Sequence, residues 1–118
     1  MTLEEDAREV RERLKVELED LGFPNNCCKI AAVEMSKRGY GIIAGMVKVE
    51  NFCGLGISRE WTHYWNFDSV TDNEFDITAS QFNIHIHSER MSEIAIWKPG
   101  KNQRFYAMKR DLSPEYVF

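Results

Sequence analysis

At 118 residues, 43% of them hydrophobic and 29% charged, the chain has the length of one domain and enough apolar material for a single core. Fifteen Lys and Arg against nineteen Asp and Glu leave a formal charge of −4, which argues against a phosphate-binding surface and so against nucleic acid as a partner. The apolar runs are short and the N-terminal segment is acidic, so neither a membrane span nor a signal peptide is expected, and the expected location is the cytoplasm.

Residues 1–22 read as an amphipathic helix. Leu3, Ala7, Val10, Leu14, Leu18 and Leu21 recur at spacings of three and four on one stripe, with Val16 alone opposite them and a charged, solvated outer face. Thr2 and Glu5 match a capping box, and Gly22 with Pro24 ends the helix. A second helix is expected over 26–38, with Asn26 as N-cap and Gly39 as the stop.

Residues 40–110 read as sheet. Ile42 to Phe52 is an extended segment in which Gly41 and Gly45 mark a bend or a close packing contact. Trp61–Phe67 and Glu74–Thr78 are two strands joined by the polar loop Asp68–Asn73, and Glu93–Trp97 and Arg104–Met108 are the last two. The expected fold is one α+β domain, two N-terminal helices packed on a mostly antiparallel sheet of four to five strands.

Cys27, Cys28 and Cys53 cannot all pair within the chain, and their spacing lacks the two ligand pairs of a zinc site, so they read as reduced thiols with no metal or cofactor. Cys27 and Cys28 open the second helix, where unpaired amides and the helix dipole favour an anion. The dipole is worth only ~0.3 to 1 kcal/mol, so activating a thiol there also needs a nearby imidazolium. His63 is the candidate. If the loop closes with Phe67 opposite Asp72, His63 lies directly opposite Asp76, and the carboxylate can fix the imidazole's tautomer. Trp61 and Trp65 flank His63 on its face and shelter the pair, with Trp65 counted among the substrate-facing residues. Helical phase does not decide between the two cysteines, which lie about 100° apart on the wheel.

Cys28 followed by Ala32, Val33 and Met35, then His63-Tyr-Trp-Asn66, then Asp76-Ile-Thr-Ala-Ser-Gln-Phe82, resembles small bacterial papain-like or transglutaminase-like cysteine hydrolases. The resemblance spans residues 24 to 82. It implies Cys28 as nucleophile, His63 as general base and acid, Asp76 as orienting carboxylate, and acyl transfer or hydrolysis on an amide or thioester of a protein or peptide. Members commonly carry Gln or Gly beside the cysteine, whereas this chain has Asn26, Cys27 and Lys29. An oxyanion hole is then expected from the Cys28 amide with Asn25, Asn26 or Gln81.

Three other readings compete. A domain of this fold without turnover would serve as a binding or regulatory module. A small inhibitor or immunity-type protein would use the acidic helix and aromatic strands as an interface. His85 and His87 would share a strand face, a spacing used by metal sites, yet two ligands do not make one, and an exposed polar edge is the simpler expectation.

Overall fold

The computed structural model describes residues 2–86, 90–99 and 106–112, the last stretch beyond Tyr106 as backbone. Helix α1 spans Leu3–Glu17, and both hydrogen bonds of the expected capping box are present: Glu5 N–H donates to Thr2 Oγ1, and Thr2 N–H to Glu5 Oε1. Leu3, Ala7, Val10 and Leu14 are buried along its stripe, and Val16 is 74% exposed. The stripe stops earlier than its spacing suggests. Leu18 leaves helical geometry at φ −109, Glu19–Leu21 form a tight 3-10 turn closed by left-handed Gly22, and Leu21 is left exposed. The charged face also departs from expectation at Arg11, which is buried, donates to the Ile77 carbonyl and lies over the Phe23 ring.

Helix α2 spans Cys28–Ser36, with Cys27 rather than Asn26 at the N-cap. Asn26 takes a left-handed conformation (φ 59), so its side chain makes no cap and the helix starts later than expected.

Five strands follow: β1 Gly41–Val49, β2 Arg59–Asp68, β3 Asn73–Asp76, β4 Ala95–Trp97 and β5 Tyr106–Leu112. They form one sheet in the order β4-β3-β2-β1-β5, with every neighbouring pair antiparallel. β1 ends before Phe52 because Asn51 turns left-handed (φ 50) and Phe52–Gly54 make a 3-10 turn. The two expected glycine roles divide between the positions. At Gly41 a Cβ would collide with the Phe67 ring, and at Gly45 the register between β1 and β5 shifts. β3 stops at Asp76 because the chain bends there, and Ile77 and Thr78 lie in a turn.

The β2–β3 hairpin is tied by Asp68, whose carboxylate accepts from Val70 N–H (3.1 Å) and Thr71 Oγ1 (2.7 Å). Its register differs from the expected one: Phe67 faces Glu74, not Asp72, and the ladder ends with Asn66 opposite Phe75. The slip is two residues, so every side chain keeps its face.

Ile42, Asn66 and Phe75 turn toward the helices, and Phe75 joins the α1 stripe, Ala31 and Met35 in one core cluster. On the opposite face Ile43, Val47 and Trp65 pack with Phe82, Ile86 and Tyr106. Asn66 locks the layers by donating to the carbonyls of Ala32 in α2 and Gly41 in β1, each at 2.9 Å. No helix among the described residues is long and apolar enough to cross a membrane.

Candidate active site

Cys28 is the first residue of α2, and the helix starts at the level of β2 where β3 has already ended. At that position its sulfur lies close enough to His63 and to the Tyr64 backbone amide to be influenced by both, and Cys28 and His63 line the same cavity. Its own amide is among those an α-helix leaves without an intrahelical acceptor.

His63 and Asp76 are buried side by side, 1% and 2% exposed, with His63 Nε2 2.7 Å from Asp76 Oδ2. Nε2 being taken, Nδ1 is the ring nitrogen left for the thiol. Trp65 stacks against the His63 ring (centroids 6.0 Å apart, 22° between planes) and Phe82 meets it edge-on at 5.0 Å.

Asp76 is held from four directions. Besides His63, it accepts from Tyr106 Oη at 2.7 Å, from Thr78 N–H at 2.8 Å and from Thr78 Oγ1 at 2.9 Å. The Thr78 bonds create the bend that ends β3, and the hydrogen bond from Arg11 to the Ile77 carbonyl fixes the same bend from α1. Every lone-pair direction that burial removes from water thus gains a donor.

The charges follow from this arrangement. Burial disfavours the charged form of His63, but the adjoining Asp76 carboxylate and the Cys28 sulfur outweigh it and push the imidazole up to about 9. Burial pushes the Cys28 thiol up, yet the hydrogen bond and positive charge of His63 carry it below its ordinary value. Asp76 is likewise raised by burial and lowered further by His63, Tyr106 and Thr78, so it stays ionised. Tyr106 is pushed well up by burial and by that carboxylate, which keeps its phenol a donor. A thiolate beside an imidazolium is the state these shifts favour.

Cys27 has no part in this. It is buried, its thiol donates to the Asn25 carbonyl at 3.2 Å, and burial raises it. The choice between the adjacent cysteines, open on helical phase, is made by the tertiary contacts of Cys28.

Cys28 and His63 open onto a cavity of about 380 Å³ whose lining includes Asn25, Asn26, Gln81, Trp61 and His85. The Gln81 carbonyl oxygen accepts from Asn26 N–H at 3.4 Å, while Gln81 Nε2 is buried without an acceptor. The side-chain amides of Asn25 and Asn26 have no partner among the described residues. Trp65 is not on the cavity wall. It is 1% exposed and donates Nε1–H to Glu74 at 2.8 Å, so it supports His63 from behind, and of the two tryptophans Trp61 is the one that lines the cavity.

The structure adds Tyr106, Thr78 and Asn66 to the residues that hold the site in place. The Asp-x-Thr spacing is a local signal for Thr78, whereas nothing near Tyr106 in sequence points to an aspartate thirty positions away. Cys53 is exposed, 3.7 Å from His85 Nδ1, and His85 lies in a turn after a 3-10 helix rather than on a strand; His87 lies outside the described residues. No group of three or more metal-ligating side chains occurs among the described residues. Compared with protein-family models, curated proteins and solved structures, the chain has no match.

Proposed function

We propose that the chain is a cysteine-dependent hydrolase or acyltransferase of the papain-like and transglutaminase-like kind, acting on an amide or thioester of a protein or peptide. The observation that carries this reading is the hydrogen bond between His63 and Asp76 with the Cys28 thiol beside the same imidazole, at the wall of a cavity.

The Cys28 thiolate attacks the carbonyl carbon, a C–S bond forms, and the carbonyl π electrons move to oxygen. The Cys28 amide and the Asn25 and Asn26 side-chain amides at the same wall are the donors available to that oxyanion, and Gln81 at that wall would have to turn its buried Nε2 outward to join them. The tetrahedral species collapses, the bond to the leaving amine or thiol breaks, and His63 gives up its proton to it. Water, or an acceptor amine, then attacks the thioester carbonyl while His63 takes the proton. The acid or new amide departs and Cys28 regains its electron pair. Asp76 keeps its charge throughout and stabilises the imidazolium of the resting pair.

Iodoacetamide at neutral pH, with adducts located by mass spectrometry, tests this reading. Cys28 should label fast and selectively, and His63→Ala should slow it by about tenfold or more as the thiolate fraction drops. Equal, slow labelling of all three cysteines would overturn the enzyme reading in favour of a binding module.

A further inference from the structure

One wall of the cavity is aromatic, and a positive charge lies beyond the lining residues, against the Trp61 ring. From the catalytic imidazole this wall runs through Phe82, 5.0 Å away, to Trp61, whose ring is 5.7 Å from Phe82 and stacks on His85 at 5.2 Å with 16° between planes. Arg59 lies beyond, its guanidinium carbon 6.0 Å from the Trp61 centroid and 5.1 Å from that of Phe52. Strand alternation puts Arg59, Trp61 and His63 on one face of β2, and turns Glu60, which pairs across the ladder with Lys48, to the other. Arg59 is exposed and has no ion-pair partner among the described residues.

A guanidinium laid on two rings is restrained, while its N–H fork remains free at the edge. Such a group takes two oxygens of one anion at little further cost in side-chain freedom. With four strand steps between them, the backbones of Arg59 and His63 are roughly 13 Å apart, about the reach of two or three extended residues.

We propose that Arg59 is a specificity-determining residue, and that the substrate carries a planar or apolar group for the Trp61–His85 wall and, past it, an anionic group with two coplanar oxygens for the Arg59 fork. The anion is a carboxylate if the substrate is a peptide with an acidic residue or free C-terminus, or a phosphate if the acyl group arrives on a phosphorylated thiol carrier. The inference deepens the proposed function and rests on it for the reaction at Cys28, but recognition by Arg59 requires no reaction.

The test is therefore a binding measurement. Tryptophan fluorescence of the full chain is titrated with N-acetylphenylalanine, with phenyl phosphate and with the neutral N-acetylphenylalanine amide. At least one anionic probe should bind about tenfold or more tightly than the amide. Arg59→Gln, a change at an exposed side chain, should abolish that preference, and Arg59→Lys should keep only part of it. Whichever anion binds better identifies the source. Equal affinity for the amide, or an anion preference that survives Arg59→Gln, would overturn the proposal. Iodoacetamide labelling of Cys28 in Arg59→Gln should match wild type, so a failure of the thiol chemistry and a failure of anion recognition are read separately.

Discussion

His63 Nε2 lies 2.7 Å from Asp76 Oδ2 although the two residues are not partners in any ladder: β2 and β3 pair only from Asp68 with Asn73 to Asn66 with Phe75. The contact is diagonal, made past the last paired position, and it holds because both residues point to the same face of the sheet and the bend at Thr78 turns the carboxylate toward the ring.

Replacing Asp76 by Asn keeps the shape and removes the charge that raises His63. Turnover should fall about a hundredfold or more, because an amide no longer stabilises the imidazolium. Single-turnover acylation of Cys28 by an activated ester or thioester would check this, and an undiminished rate would remove Asp76 from the mechanism.

The pair also makes stability depend on pH. Asp76 is held below its ordinary 3.8, so its contribution is complete above that value and is lost as pH falls through the lower folded value. His63 is held up at about 9 against an ordinary 6.5, so its contribution is complete below 6.5 and is lost as pH rises through about 9. The difference in Tm between wild type and Asp76→Asn should be greatest between about pH 4 and 6.5 and shrink on both sides. For turnover, the acid limb should lie below the ordinary 9.0 of a thiol, as Cys28 ionises, and the alkaline limb near 9, as His63 loses its proton.

Tyr106→Phe deletes one donor to a buried carboxylate and nothing else of size. It should cost about 1.5 to 3 kcal/mol in urea unfolding. The same change should lower turnover less than Asp76→Asn does, since the Thr78 bonds and the carboxylate remain.

Asn66 is a positioning residue whose two bonds join α2 to the start of β1. Asn66→Ala takes this donor from one buried and one part-buried carbonyl and should destabilise the fold by about 2 to 4 kcal/mol. It should also slow iodoacetamide labelling of Cys28 without changing that of Cys53, because α2 carries the one thiol and not the other.

Gly41→Ala should cost about 1 to 3 kcal/mol, since the new methyl meets the Phe67 ring and forces it aside. Combining it with Phe67→Ala should recover part of the loss. Strict additivity in the double-mutant cycle would rule out this contact as the reason for glycine.

The amphipathic stripe, the capping box, the strand-rich remainder and the types of group at the site are local features of the sequence. Spacings of three and four mark a helix wherever it occurs, and Thr2 with Glu5 closes its own first turn. A thiol at a helix start and an imidazole on a strand are visible for the same reason. Local pattern also placed His63 and Asp76 on one face, because face depends only on whether a residue is odd or even along the strand, and a two-residue slip in register leaves that unchanged.

Other features were decided only by elements distant in sequence coming together. The register itself depended on how Asp68 bonds the turn, and the start of α2 on a left-handed Asn26. Arg11, read as surface, is buried because the Asp76–Thr78 bend brings a carbonyl within its reach. The separation of Cys28 from Cys27 arose from which thiol the end of β3 leaves facing His63, and Tyr106 reached Asp76 only because β5 returns to the sheet beside β1. Periodicity records which side of an element meets the core, whereas the partner found there depends on how the whole chain packs.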